Sequence, residues 1–345
     1  MQRLILIGVF NIMLYGCNTN KADTTEKRLK NENFDTIIAF GSCAHEYEPL
    51  PVFNAIVKHN PDIFIWLGDI VYGDTHDMAV LKEKYDTQKA KPAYQKLLSN
   101  VRVIGVWDDH DYGVNDGGKN YPMKNESKEL LLDFLDVSAD DPVRERQGVY
   151  SSHEIESNGK IIKIILLDTR YFRDTLLPAE DSRARYKMNE TGDILGEAQW
   201  SWLENVLRTS SADFTIIGSG IQVISEEQGY EKWANFPSAH RRLFNLIVNI
   251  KPGPVMLISG DRHIAEISMI EIEGYDHPLY DFTSSGLTHS WAQAFQEPNR
   301  HRVGDLITKK NFGLIKLRWD KGSPTVVFEI RGVEDEQFQK LEVSY

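Results

Sequence analysis

Cysteine, positive charge and long apolar runs are all scarce in this chain. Two cysteines in 345 residues exclude a disulfide framework. Lysine and arginine number 39 against 51 acidic residues, a net charge of −12 with no basic block. That argues against a nucleic-acid partner, whose binding rests on phosphate neutralisation. The apolar run Leu4 to Leu14 is too short to span a membrane. Neither a Walker nor a dinucleotide glycine motif is present. Gly218-Ser219-Gly220 lacks the spacing of a nucleophile elbow, and Ser284-Ser285-Gly286 reads only as a turn. Phosphate cradling by a glycine loop and serine nucleophile chemistry are therefore both unsupported. No internal repeat or long low-complexity tract occurs.

The N-terminus carries an address. Met1-Gln2-Arg3 is a short positive start, the apolar run follows, and Leu14-Tyr15-Gly16-Cys17 places a small residue directly before a cysteine. This pattern resembles a bacterial lipobox, with Cys17 as the lipidated residue; the alternative is an ordinary secretory signal with an incidental cysteine. The expected organisation is a lipoprotein signal peptide over 1–16, a polar tether over 17–33, a catalytic domain over 34–335 and a C-terminal tail over 336–345. The expected location is that of an exported bacterial lipoprotein, facing the periplasm or the cell surface and held at the outer membrane. With Cys17 lipidated, Cys43 has no intramolecular partner. It is then either a buried inert thiol or a metal thiolate.

What the chain does have is a regular alternation of buried strands and helices. Thr36–Phe40, Asp62–Leu67, Arg102–Val106, Lys160–Leu167, Phe214–Ile217 and Val255–Ile258 read as strands. Segments 51–59, 78–99 and 197–207 read as helices between them. The last third turns to short, mostly antiparallel strands at 265–272, 279–284, 312–319 and 325–330. The expected fold is α/β, with two sheets flanked by helices and room for one catalytic domain.

The polar residues follow the strands. Cys43, Asp69, Asp109, Asp168 and Asp261 each fall close behind a strand end, as do His110 and His263. In a parallel sheet those ends share one rim, so residues far apart in sequence converge there. Four carboxylates on one dry rim repel each other by several kcal/mol, and metal ions resolve that most simply. Asp69 and Tyr72 can point at one centre, or Tyr72 is a core tyrosine. Asp261 and His263 lie two apart and can face one side, with Arg262 turned to an anion or paired with a carboxylate. The stretch Trp107 to Asp116 is not an EF-hand, because Gly113, Val114 and Asn120 break that pattern. His110, set among aspartates, is either a general acid or a hydrogen-bonded surface histidine.

Five stretches in order carry a resemblance: Gly41-Ser42-Cys43, Leu67-Gly68-Asp69-Ile70-Val71-Tyr72, Trp107-Asp108-Asp109-His110-Asp111, Leu167-Asp168-Thr169-Arg170 and Ser259-Gly260-Asp261-Arg262-His263. Together with 195–200 and Thr283–Gly286 they resemble the PhoD-like (alkaline phosphatase D) family of metallophosphoesterases, from about Phe34 to Ile330. The resemblance implies a calcineurin-like four-layer sandwich, two mixed β-sheets flanked by α-helices. It implies Fe3+ with Ca2+, or another divalent pair, as cofactors. Cys43, Asp69, Tyr72 and His263 would hold the iron-like ion, with Asp69 bridging to a second ion on Asp109 and Asp261. His110 would serve the leaving group and Arg262 would add positive charge. Asp108, Asp111, Asn115, Arg170, Gln222 and Trp233 are candidate neighbours of the metals or the substrate, and Asp116 is expected out in water. The chain is shorter than many members and reads as lacking their extra N-terminal β-domain. The implied activity is hydrolysis of a phosphate ester, monoester or diester, by a metal-activated hydroxide. The rival reading is a non-catalytic surface lipoprotein that binds calcium and a phosphorylated ligand.

Overall fold

The computed structural model describes residues 34–180, 184–320 and 323–345. Cys17, the signal-like run and the tether lie outside the described residues. The chain begins with β1 (Thr36–Gly41), α1 (Val52–Lys58), β2 (Ile63–Leu67), α2 (Met78–Lys89), α3 (Pro92–Leu98), β3 (Arg102–Val106), α4 (Asp109–Tyr112) and α5 (Lys124–Phe134). Next come β4 (Ser151–Ser157), β5 (Lys160–Leu166), β6 (Leu177–Pro178), β7 (Tyr186–Lys187), α6 (Gly196–Arg208), β8 (Phe214–Ser219), α7 (Pro237–Ile250) and β9 (Val255–Ser259). It closes with β10 (Ala265–Ile270), β11 (Leu279–Ser284), β12 (Phe312–Asp320), β13 (Ser323–Arg331) and β14 (Gln337–Ser344).

Twelve strands form two six-stranded mixed sheets, β14-β13-β12-β1-β2-β3 and β10-β11-β9-β8-β5-β4, and β6 and β7 form a separate pair. Strands β1, β2 and β9 are buried at every position, which fits their continuous apolar sequences and coverage on both faces. Between the sheets, Phe282 of β11 meets Phe40 of β1 edge-on at 4.8 Å and Phe328 of β13 at 5.8 Å. Outside the second sheet, Trp200, Leu203 and Leu207 of α6 and Leu243 and Ile247 of α7 pack over Ile165, Ile217 and Leu257. Alternate residues of β5, β8 and β9 thus serve two different cores.

Three expectations change. The helix expected over 78–99 is two helices, because Pro92 has no amide to donate and disfavours helical backbone in the residue before it. Helices α5 and α7 have no counterpart in the sequence reading. In α7 the buried residues Ala239, Leu243 and Ile247 recur every four positions, a one-sided helical stripe that the sequence does carry. The expected tail over 336–345 is not a tail. Residues 337–344 are strand β14, paired antiparallel with β13 across a bulge at Ile330/Arg331, and Tyr345 packs on Phe214 and Tyr280. Polar residues on its outer face concealed an edge strand.

Candidate metal centre

Each parallel strand of interest ends in a sharp turn that lifts a polar side chain onto a common rim. Cys43, Asp69, Asp261 and His263 adopt left-handed backbone, with φ of 63°, 48°, 70° and 55°. That region is sparsely used by residues other than glycine, and it clusters where surrounding packing over-determines the chain. The packing here is tight. Gly68 has φ of 88°, and a β-carbon there would lie 2.2 Å from Asp108 Cβ. The loops lock together through the backbone: Ala44 N donates to Asp69 O at 2.8 Å and Thr288 N to Cys43 O at 3.2 Å. Asp111 braces two of them at once. Its carboxylate accepts from the backbone N of Asp69 (3.2 Å), Ile70 (3.1 Å) and Asp108 (2.7 Å).

These turns bring three overlapping ligand groups together. Cys43, Asp69 and His263 form one; Asp69, Asp109 and His110 a second; Asp108, Asp109 and Asp261 a third. Within each group the candidate donor atoms lie within 4.8 Å of one another. Asp69 is shared by the first and second groups, and Asp109 by the second and third. Tyr72 joins the first group, its Oη 3.0 Å from His263 Nε2 and 3.3 Å from Asp69 Oδ2. It also meets His289 Nε2 at 3.0 Å.

Whether these residues suit cations is decided by what they lack. Asp69 Oδ1 and Asp108 Oδ2 are buried and have no hydrogen-bond partner among the described residues. An orphaned buried carboxylate oxygen is costly, and a cation is its natural partner. Burial pushes the Asp69 carboxyl up to about 8, with the neighbouring Asp109 and Asp111 charges adding to the rise. Burial also raises Asp108 and Asp261 well above the usual carboxylate range, and the Cys43 thiol above its own. Asp109 goes the other way. Burial opposes its charge, but Arg170, His110 and the backbone N–H groups of Asp116 and His110 prevail and hold it at about 2. A rim whose acids resist ionisation by themselves is stabilised by added positive charge. One thiol, one imidazole and several carboxylates offer soft and hard donors together, so the donor set fits a mixed pair of ions.

His110 sits at the edge of this array. Its Nδ1 is 2.9 Å from both carboxylate oxygens of Asp74, and Nε2 has no protein partner among the described residues. Burial lowers its basicity, but Asp69, Asp74 and Asp109 outweigh that and hold the imidazole protonated well above its ordinary range. Behind the rim, Arg170 is fully buried. It pairs with Asp108 and with Glu231, each at 2.6 Å, while Arg173 meets Glu231 at 2.8 Å. In front lies a cavity of about 320 Å³ faced by Asp69, Asp109, His110, Arg185, Tyr230 and Trp291, among others. A second cavity of about 300 Å³, beside Val103, Leu132 and Arg146, contains none of these groups and is mostly apolar.

The structure brings Cys43, Asp69, Tyr72, Asp109, Asp261, His263 and His110 to one place. Asp108, expected only as a neighbour, belongs to a ligand group. Asn115 faces the cavity and donates from its side chain to Asp116 at 2.6 Å. Three expectations fail. Asp168 is spent on local structure, accepting from Trp107 Nε1 and from the backbone N of Val149, Arg170 and Tyr171 at 2.8–3.0 Å. Gln222 donates to Glu266 and Thr283, and Trp233 to Ser219, all inside the core rather than on the cavity wall. Asp116 is not out in water: its backbone N donates to Asp109 at 2.5 Å and its carboxylate meets Arg185 at 3.2 Å. Of the two readings of Arg262, the carboxylate pairing holds. Arg262 pairs with Glu297 at 2.6 Å and lies 4.4 Å from the centre of the Tyr230 ring. Sequence reasoning missed His289, Asp74, Arg185 and Glu231. His289 follows a stretch read only as a turn, and the others have no spacing signal.

Comparison with known proteins agrees with this geometry. The model of the PhoD-like phosphatase family matches residues 38–311. Alkaline phosphatase D of Bacillus subtilis (strain 168) is 23% identical over 278 residues, covering 72% of this chain and 45% of that protein. The chain thus spans less than half the length of that curated relative. A solved structure of PhoD superposes with a TM-score of 0.70 at 15% identity, over 92% of this chain and 70% of that one. The likeness shows the fold: two mixed sheets between helices, in the calcineurin-like arrangement.

Proposed function

The chain belongs to the PhoD-like phosphatase family, and from that premise we propose that it hydrolyses phosphate esters at a metal pair held on the rim. The observation that carries this is the sharing of Asp69 and Asp109 among three ligand groups, with orphaned carboxylate oxygens at Asp69 and Asp108. Cys43, Asp69, Tyr72 and His263 would hold an iron-like ion. Asp69, Asp109 and Asp261, joined by Asp108, would hold a calcium-like ion. Bound ions would supply positive charge against the phosphoryl oxygens and make water acidic enough to serve as nucleophile at neutral pH.

The remaining tasks fall to the chain itself. Asp111 holds the turns that carry Asp69 and Asp108 in register, so the rim is preorganised. Asp74 fixes the His110 ring through Nδ1 and keeps a proton on Nε2, facing the cavity. That proton would pass to the leaving alkoxide. Arg170 cancels part of the negative charge behind the site.

A non-catalytic calcium binder is the second reading, and Cys43 speaks against it, since a plain calcium site has no use for a thiolate. Elemental analysis of the purified protein, with assays on p-nitrophenyl phosphate and its bis-ester, separates the two. Stoichiometric transition metal with turnover that chelation abolishes is the expected result. Calcium alone, with neither ester cleaved, would overturn the proposal.

The proposal extends to location, with a lipid on Cys17 tethering the enzyme to the outer membrane. Cys17→Ser is expected to move the protein from the membrane to the soluble fraction of the producing cells. Unchanged membrane retention would count against the anchor.

A further inference from the structure

The cations around the cavity differ in how far they are already committed. Arg170 is fully buried between Asp108 and Glu231 and does not face the cavity. Arg262 does face it, but its side chain is only 5% exposed, is paired with Glu297, and is packed against the rings of Tyr230 and Trp291. Releasing it would strand a buried carboxylate, at a cost of several kcal/mol. Arg185 is different. Its side chain is 53% exposed and faces the same cavity.

The backbone of Arg185 is tied on both sides while its head is loosely held. Its N–H donates to Gly229 O at 2.7 Å, and its carbonyl accepts from Ala179 N at 3.0 Å. This fixes the residue at the start of β7, opposite β6. Among the described residues the guanidinium has one carboxylate partner, Asp116 Oδ2 at 3.2 Å, and lies 5.6 Å from the centre of the Tyr186 ring. That same oxygen also accepts from Tyr186 Oη and from Asn115 Nδ2. Asp116 therefore keeps its donors when Arg185 turns away, and little opposes the turn.

The charge of the cavity supplies the need. Asp69, Asp109 and Asp261 face it and would be neutralised by the bound ions, which leaves Asp116 beside the exposed guanidinium of Arg185 on the wall where an entering anion arrives. We infer that Arg185 is the specificity-determining cation that grips the non-bridging oxygens of the substrate phosphate, exchanging Asp116 for the anion as it binds. A planar guanidinium matches two such oxygens at once, which an ammonium does not. This role rests on the phosphate-ester reading of the site and reassigns to Arg185 the anion contact expected of Arg262.

The test compares the metal-loaded wild type with Arg185→Gln and Arg185→Lys, by steady-state kinetics and by calorimetric titration with inorganic phosphate. For Arg185→Gln, KM and the phosphate Kd should rise about tenfold, the loss of one charge-assisted contact near solvent, with kcat within threefold. Arg185→Lys should recover part of both, and metal content should match the wild type in all three. Normal wild-type turnover with unchanged KM and phosphate Kd in Arg185→Gln overturns the inference and leaves the phosphoesterase reading standing. So does a loss confined to kcat. Arg185-dependent phosphate binding without turnover supports the phosphate site and overturns the catalytic reading instead. A wild type that neither binds phosphate nor turns over loses both.

Discussion

Asp69→Asn protein is expected to purify with at most one of the two proposed ions and to lose about a thousandfold or more in turnover. The reason is position: Asp69 is the only residue common to the Cys43–His263 group and the Asp109–His110 group among the described residues. A metal clamp contributes several kcal/mol to transition-state charge stabilisation, and about 4 kcal/mol is a factor of a thousand in rate. Stability should move the other way. Without metal, burial raises the Asp69 carboxyl to about 8, so its ionised form is a burden on the fold. A group whose folded value is raised contributes stability below its unfolded value and loses it as pH rises. Metal-free wild type should therefore melt progressively lower from about pH 4 to about pH 8, where metal-free Asp69→Asn declines less. Thermal melts in chelator at the two ends of that window, alongside metal analysis, check both halves. Full metal content with normal turnover in the variant would remove Asp69 from the bridging role.

His110→Ala should reduce turnover by roughly two to four orders of magnitude while leaving metal content unchanged. His110 lies within reach of the Asp69–Asp109 pair, yet its Nδ1 is committed to Asp74 at 2.9 Å, which favours proton delivery over metal ligation. The pH profile carries the sign. The acidic neighbours raise the value of His110, so the proton it donates is present at neutral pH and is lost as pH rises through the raised value. Cations on Asp69 and Asp109 weaken that hold, but Asp74 remains. The alkaline limb of kcat should therefore lie above the ordinary histidine range in wild type and vanish in His110→Ala. Loss of metal in His110→Ala would mark the residue as a ligand, and retained full turnover would remove it from proton transfer.

Much of the site could be read from sequence because parallel strands write their ends plainly. Thr36–Gly41 and Ile63–Leu67 are unbroken apolar runs, so the first polar residue after each is conspicuous, and Cys43 and Asp69 follow directly. The same logic over-reached at Asp168. It too stands behind a buried strand, but the indole of Trp107 and three backbone amides occupy its carboxylate. Asp108 was undervalued for the converse reason. Sequence cannot show that one of its oxygens is taken by Arg170 and the other by nothing among the described residues. Edge strand β14 is hidden by its many polar residues, whereas α7 carries a helical stripe through Ala239, Leu243 and Ile247 that was legible in the sequence.

The sequence by itself determined the α/β class, the lack of a disulfide framework and of a glycine-loop motif, and the set of acids, thiol and imidazoles at strand ends. Those follow from local periodicity and covalent chemistry, which neighbours along the chain express. Only the tertiary structure decided which acids come together, which have spent their oxygens on backbone amides, and which arginine stands exposed at the cavity. Those are properties of contacts between residues far apart in sequence, such as Cys43 and Asp261, 218 positions apart, and no local pattern encodes them.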